Sequence, residues 1–87
     1  MNIEGVKMAY YEKKDWPRFL GMADDREILE DTWEEWHEEY KKGVEGFKSI
    51  GMTVIKVPID LDELDRYCKK QGLKNDAAAR SQYAVEK

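Results

Sequence analysis

The chain has 87 residues, of which 41% are hydrophobic and 39% charged, and it carries a formal net charge of −4. A chain of this length buries only roughly 60% of the surface its unfolded form exposes, so residues 1–87 are expected to form one domain with a thin core. The composition excludes a disordered chain. The longest apolar runs, Met8-Ala9-Tyr10-Tyr11 and Met52-Thr53-Val54-Ile55, fall far short of the roughly 20 residues of a membrane span.

The start, Met1-Asn2-Ile3-Glu4-Gly5, lacks the basic and apolar segments of a secretory signal, and the single cysteine, Cys68, leaves no internal disulfide. Both observations lead us to expect a cytoplasmic protein in a reducing compartment, with no membrane partner. Charge is unevenly spread. Residues 1–50 hold 8 Lys/Arg against 13 Asp/Glu, whereas from Arg66 onward there are 6 basic and 2 acidic residues, so the C-terminal stretch is locally cationic.

Residues 5–11 read as a strand in which Val6, Met8 and Tyr10 alternate with Lys7, Ala9 and Tyr11. Asp15 is placed to cap a short helix, Trp16 to Met22, with Pro17 in its first turn, where a missing N–H does no harm. Asp24-x-x-Glu27 has the form of a capping box, and Leu29, Trp33, Trp36, Tyr40, Gly43, Phe47 and Ile50 follow at spacings of three and four. This predicts one amphipathic helix from Asp25 to Ser49, stopping at Gly51. Gly43 and Gly46 cost it about 1 kcal/mol each without necessarily breaking it. Such a helix would be roughly 37 Å long in a domain with a radius of gyration near ~12 Å, and would outrun its own core.

Thr53, Ile55, Val57 and Ile59 then line one face of a second strand, with Met52, Val54 and Lys56 on the other, and Pro58 ends it or marks an edge. Asp60-x-x-Glu63 is a second capping box, with Ile59 and Leu64 at hydrophobic-staple positions. The helix it opens should bury Leu61, Leu64 and Cys68 and close at Gly72-Leu73 with Leu73 folded back. Asn75 is read as the cap of a final helix, Asp76 to about Val85, with an alanine-rich face. The fold class is therefore α+β, with two short strands, a long amphipathic helix and a C-terminal helix pair. Two strands alone are marginal, so helices over one face and a further subunit are expected.

Catalytic signatures are scarce: there is no phosphate loop, dinucleotide glycine fingerprint, HExxH, paired CxxC or nucleophile elbow, and no cofactor is expected. Glu34-x-x-His37 has the spacing that di-iron bundles use, because residues three apart project from one helix face. A symmetric dimer adding Glu30 or Glu38 would be needed to complete such a site. The plainer alternative is a solvated acidic face with Glu38 paired to Lys42 and His37 flanking Trp36. Cys68, near a helix C-terminus and on its apolar face, reads as core. Trp33, Trp36, Tyr40 and Phe47 read as interface residues that bury the seam against the sheet and a second subunit.

Leu64 to Tyr83 has a helix-turn-helix outline, with Cys68 four positions before Gly72, then Leu73 and a capped second helix. Lys74, Asn75, Arg80 and Gln82 would be its nucleic-acid contacts, and Ser81 would face the same groove. Ala78 is small for that pattern, Asp76 would face phosphate, and an ordinary helix hairpin with solvated lysines is the favoured alternative.

The runs Asp31-Thr32-Trp33-Glu34-Glu35-Trp36-His37 and Asp60-Leu61-Asp62-Glu63-Leu64, followed by Gly72-Leu73-Lys74-Asn75-Asp76 and Ala79-Arg80, resemble those of small bacterial proteins with no assigned function. The resemblance implies a compact, stand-alone, cytoplasmic bacterial protein and assigns no activity to it. The sequence thus leads to a non-enzymatic homodimeric interaction module, with a nucleic-acid-binding regulator and a metal-binding protein using Glu34 and His37 as alternatives.

Overall fold

The computed structural model describes residues 5–87. Strand β1 (Gly5–Tyr10) leads through a 3₁₀ turn into helix α1 (Trp16–Met22). A second 3₁₀ turn at residues 26–28 precedes helix α2 (Trp33–Ser49), which is followed by strand β2 (Thr53–Pro58), helix α3 (Leu61–Gln71) and helix α4 (Ala77–Glu86). The fold class is α+β, with the long helix and the C-terminal helix pair in place.

The two strands pair in parallel, Gly5 opposite Thr53 and Tyr10 opposite Pro58, and Ile59 N–H donates to the Tyr10 carbonyl at 3.0 Å to extend the ladder. Parallel pairing requires a crossover, which residues 11–52 supply. Alternation then sorts the side chains. Met8 and Tyr10 meet α2: Tyr10 packs edge-on against Trp36 at 5.5 Å and Tyr40 at 5.2 Å between ring centroids. At Gly43 a Cβ would stand only 3.1 Å from Met8 Cε, so the glycine in the helical seam leaves room for the Met8 side chain.

The opposite face carries Ala9, Tyr11, Val57 and Ile59 into the main core, with Trp16 and Phe19 from α1, Leu61, Leu64 and Cys68 from α3, and Ala79, Tyr83 and Ala84 from α4. Helices therefore cover both faces of the sheet, not one. α2 itself contributes only half-buried residues.

Several local expectations are corrected. The long helix begins at Trp33, not Asp25, and the Asp24-x-x-Glu27 box does not form. Thr32 caps the helix instead: its hydroxyl accepts from Glu35 N–H at 3.1 Å, while Thr32 N–H donates to the Glu35 carboxylate at 3.2 Å. A complete reciprocal box satisfies two orphan amides, whereas Asp24 and Asp25 have better partners elsewhere in the fold. At 17 residues α2 spans about 25 Å. It is therefore shorter than the roughly 37 Å expected for a helix over residues 25–49. It passes through Gly43 and Gly46 unbroken.

Asp15 precedes α1 without a side-chain cap bond. Asp60 caps α3 by accepting from Glu63 N–H at 3.1 Å, but Glu63 turns away from the cap to Tyr83 of α4 and to Lys87 just beyond it. α3 ends as expected, with Gly72 left-handed at φ +69° and Leu73 N–H on the Cys68 carbonyl at 2.8 Å. The cap of α4 is Asp76, one residue later than expected, accepting from Ala79 N–H at 3.0 Å. Asn75 has a different task.

Candidate functional site

Asp24 and Asp25 reach across the chain to the start of α4. Asp24 N–H donates to the Asn75 carbonyl at 2.8 Å, and Asn75 N–H donates to the Asp24 carboxylate at 2.7 Å. Asp25 accepts both Arg80 guanidinium nitrogens, at 3.0 and 2.8 Å, and Ala77 N–H at 3.0 Å. Arg80 also donates to the Asn75 carbonyl and side-chain oxygen, at 2.9 and 3.0 Å, and lies 5.1 Å from the Phe19 ring centre. The bidentate pair is nearly enclosed, with Arg80 6% exposed. Hydrogen bonding from Arg80 holds the Asp25 carboxyl below the usual carboxylate range. Burial pushes the neighbouring Tyr11 hydroxyl up to about 12.

This clamp removes Asn75 and Arg80 from the solvent face on which a nucleic-acid contact set would have to lie, leaving Lys74 and Gln82 exposed. Glu34 pairs with Lys13 at 2.6 Å, and His37 stacks on Trp33 at 4.4 Å between ring centres, so these two side chains engage separate partners. Glu38 pairs with Lys41 at 2.9 Å and Glu39 with Lys42 at 3.4 Å, in place of the expected Glu38–Lys42 pair. Residues three apart on a helix meet as readily as those four apart. Among the described residues, no group of three or more His, Cys, Asp or Glu is arranged to hold a metal ion. Cys68 is buried, and burial raises its thiol pKa.

The aromatic anchors serve the chain's own interior. Trp33 Nε1 donates to the Tyr11 carbonyl at 2.9 Å, Trp36 sits among Tyr10, Tyr11 and Trp16, and Tyr40 packs on Tyr10. Phe47 lies farther along α2, on the wall of a cleft.

That cleft, about 370 Å³, was not foreseen from the sequence. Its floor is the consecutive run Val6, Lys7, Met8 and Ala9, and its walls are Trp36 and Phe47 of α2 and Ala77, Arg80, Ser81 and Ala84 of α4. Neighbouring side chains in a strand point to opposite faces, so four consecutive residues line one cleft only when the strand is viewed from its edge. The cleft therefore runs along the outer edge of β1. Among the described residues, the sheet ends there, and no backbone or side-chain group bonds to the outward amides of residues 6–9. Lys7 reaches out to the Val85 carbonyl at 3.0 Å. Among the described residues, no carboxylate lines the cleft.

Two further surfaces adjoin this frame. Past Leu29, which it shares with the cleft, lies a groove of Glu30, Asp31, Glu35, Glu38 and Glu39. On the other side of the sheet, β2 has an outer edge that is unpaired among the described residues; Ile55 of β2 is 42% exposed, and Ile50 at the end of α2 is 70% exposed. Among the described residues, no helix is long and apolar enough to cross a membrane. No family model, curated protein or solved structure matches the chain.

Proposed function

We propose that the chain is a non-enzymatic interaction module that self-associates as a two-fold dimer through the outer edge of β2, in the cytoplasm. The observation that carries this reading is, among the described residues, the unpaired outer edge of β2 in a two-stranded sheet; Ile55, midway along β2, is 42% exposed and lies across the sheet over Gly5. An open strand edge is a template for another strand, and proteins that keep one single-chained usually shield it with charge, a bulge or a covering loop. β2 carries one lysine and ends at Pro58.

Antiparallel pairing of two copies centred on Ile55 sets Ile55 against Ile55 and Lys56 against Val54, so no like charges are opposed. It yields a four-stranded sheet, a size at which sheets are independently stable. In this reading Trp33, Trp36 and Tyr40 brace the sheet from within each subunit, and no part of the interface depends on excess helix length. The strongly held ionisable groups, Asp25 and Arg80, serve a structural clamp, which favours binding over catalysis.

Sedimentation equilibrium at micromolar concentration tests the proposal. The expected mass is twice the 10.3 kDa of the chain, and Ile55→Lys should return it to one chain with the helical circular dichroism unchanged. A wild-type protein that stays single-chained throughout would defeat it.

A further inference from the structure

The β1 cleft is the strongest unexplained feature of the molecule, and its chemistry is directional. α4 runs antiparallel to β1. Ala77, bonded to the Asp25 that neighbours Tyr11, and the start of α2, held by Trp33 on the Tyr11 carbonyl, stand at one end of the cleft, and Val85, held by Lys7, stands at the other. At the Lys7 end lies an ammonium whose bond goes to a neutral carbonyl, not to a carboxylate. Beyond Leu29, at the opposite end, lie the five carboxylates of the acidic groove. Between them are strand amides that have no partner among the described residues, flanked by apolar side chains from two helices.

We propose that this cleft receives an extended peptide segment of a partner protein, which joins the sheet as a third strand antiparallel to β1. The proposal rests on the chain being an interaction module, but not on its self-association through β2. A compact apolar molecule would fill the cleft and leave the edge amides unsatisfied, whereas a strand pairs with them and places alternate side chains against the two walls. Residues 6–9 span roughly 13 Å, enough to pair with about four residues of the incoming chain.

Polarity follows from charge. The segment's carboxylate, an acidic side chain or a free C-terminus, meets Lys7, where a charge-assisted bond replaces the one to Val85. Lysine or arginine on its N-terminal side meets Glu30 and Glu35, since Glu38 and Glu39 already pair with Lys41 and Lys42. With its C-terminal end at the N-terminal end of β1, the segment runs antiparallel to it. The centre should be small and β-branched, since the walls at Ala77, Ser81 and Ala84 are shallow.

The test is selection of a random peptide library displayed on phage against the folded chain, followed by titration of one enriched synthetic peptide monitored through backbone amide resonances. Enrichment should favour a basic residue, then alternating β-branched residues, then an acidic residue or the C-terminus. The peptide should shift the amides of residues 6–9. Ser81→Trp, which fills the cleft from an exposed helical position, should weaken binding at least about tenfold. Lys7→Glu should do the same and recover binding when the peptide's acidic residue is exchanged for lysine.

Failure to enrich any sequence would overturn the proposal, as would equal binding to a natively folded Ser81→Trp. Shifts confined to residues 53–57 would also overturn it while leaving the interaction module standing. Movement of residues 6–9 with protein concentration alone would assign the cleft to a second copy and overturn it as well.

Discussion

Asp25 shows how much one side chain can hold when its partners come from distant parts of the chain. Its carboxylate takes both nitrogens of a buried guanidinium and the Ala77 amide, at the positive end of α4. Removing it strands the Arg80 charge in the interior, so Asp25→Ala should destabilise by about 3–5 kcal/mol, read from the urea midpoint at neutral pH. The pH dependence has a definite sign. Asp25 is depressed by hydrogen bonds from Arg80, so its contribution is complete above the unfolded carboxylate value of about 3.9 and is lost as pH falls through the lower folded value. Asp25→Asn should flatten the acid limb of a stability–pH curve. Tyr11 acts at the other extreme. Its pKa is raised by burial to about 12, so its contribution is full below about 10 and fades as pH climbs toward the folded value. Tyr11→Phe should therefore extend stability further into alkali, as followed by circular dichroism. None of this was legible beforehand: Asp24-x-x-Glu27 had the right local form for a cap, and only the fold brings Asn75 and Arg80 within reach.

At the scale of elements, the reading of the sequence succeeded where the signal was local. Pro17, the Asp60 cap and Gly72 mark α1 and α3, and both helices have the expected extents. α2 was misjudged at its start because Leu29 continues the apolar spacing of Trp33 and Trp36 without sharing their helix. Its residue is extended, at φ −95° and ψ 150°. The competing signal was present in Thr32-x-x-Glu35, a box that begins four residues before Trp36; in the folded chain it caps the helix while Asp24 and Asp25 bond to Asn75, Ala77 and Arg80. Within α2, Gly46 has open space around a would-be Cβ and an ordinary helical backbone. Gly46→Ala should stabilise the fold by about 1 kcal/mol, measurable as a rise in thermal midpoint. At Gly43 the same change presses on Met8 Cε, so part of that gain should be cancelled.

For the whole molecule, strand existence and side-chain facing were readable from alternation, but strand direction and the edges were not. The cleft joins residues of β1, α2 and α4 that no periodicity links. Its floor becomes visible only once the parallel register of β1 on β2 is known. If β2 is the dimer edge, thermal stability should rise with protein concentration in the wild type and become independent of it in Ile55→Lys, a comparison that scanning calorimetry can make.

The ladder that creates both edges also governs how the chain acquires its shape. Each β1 residue is matched with the one 48 positions later, as Gly5 with Thr53 (53 − 5 = 48). Neither strand finds its mate until the intervening stretch has been drawn together, and the entropy of closing so long a loop is lost before any pairing repays it. α1 and α2 must therefore collapse on each other first. The tempo of folding is set by that wait, and a chain that is helical over most of its length should reach its native state more slowly than a helical bundle of the same size.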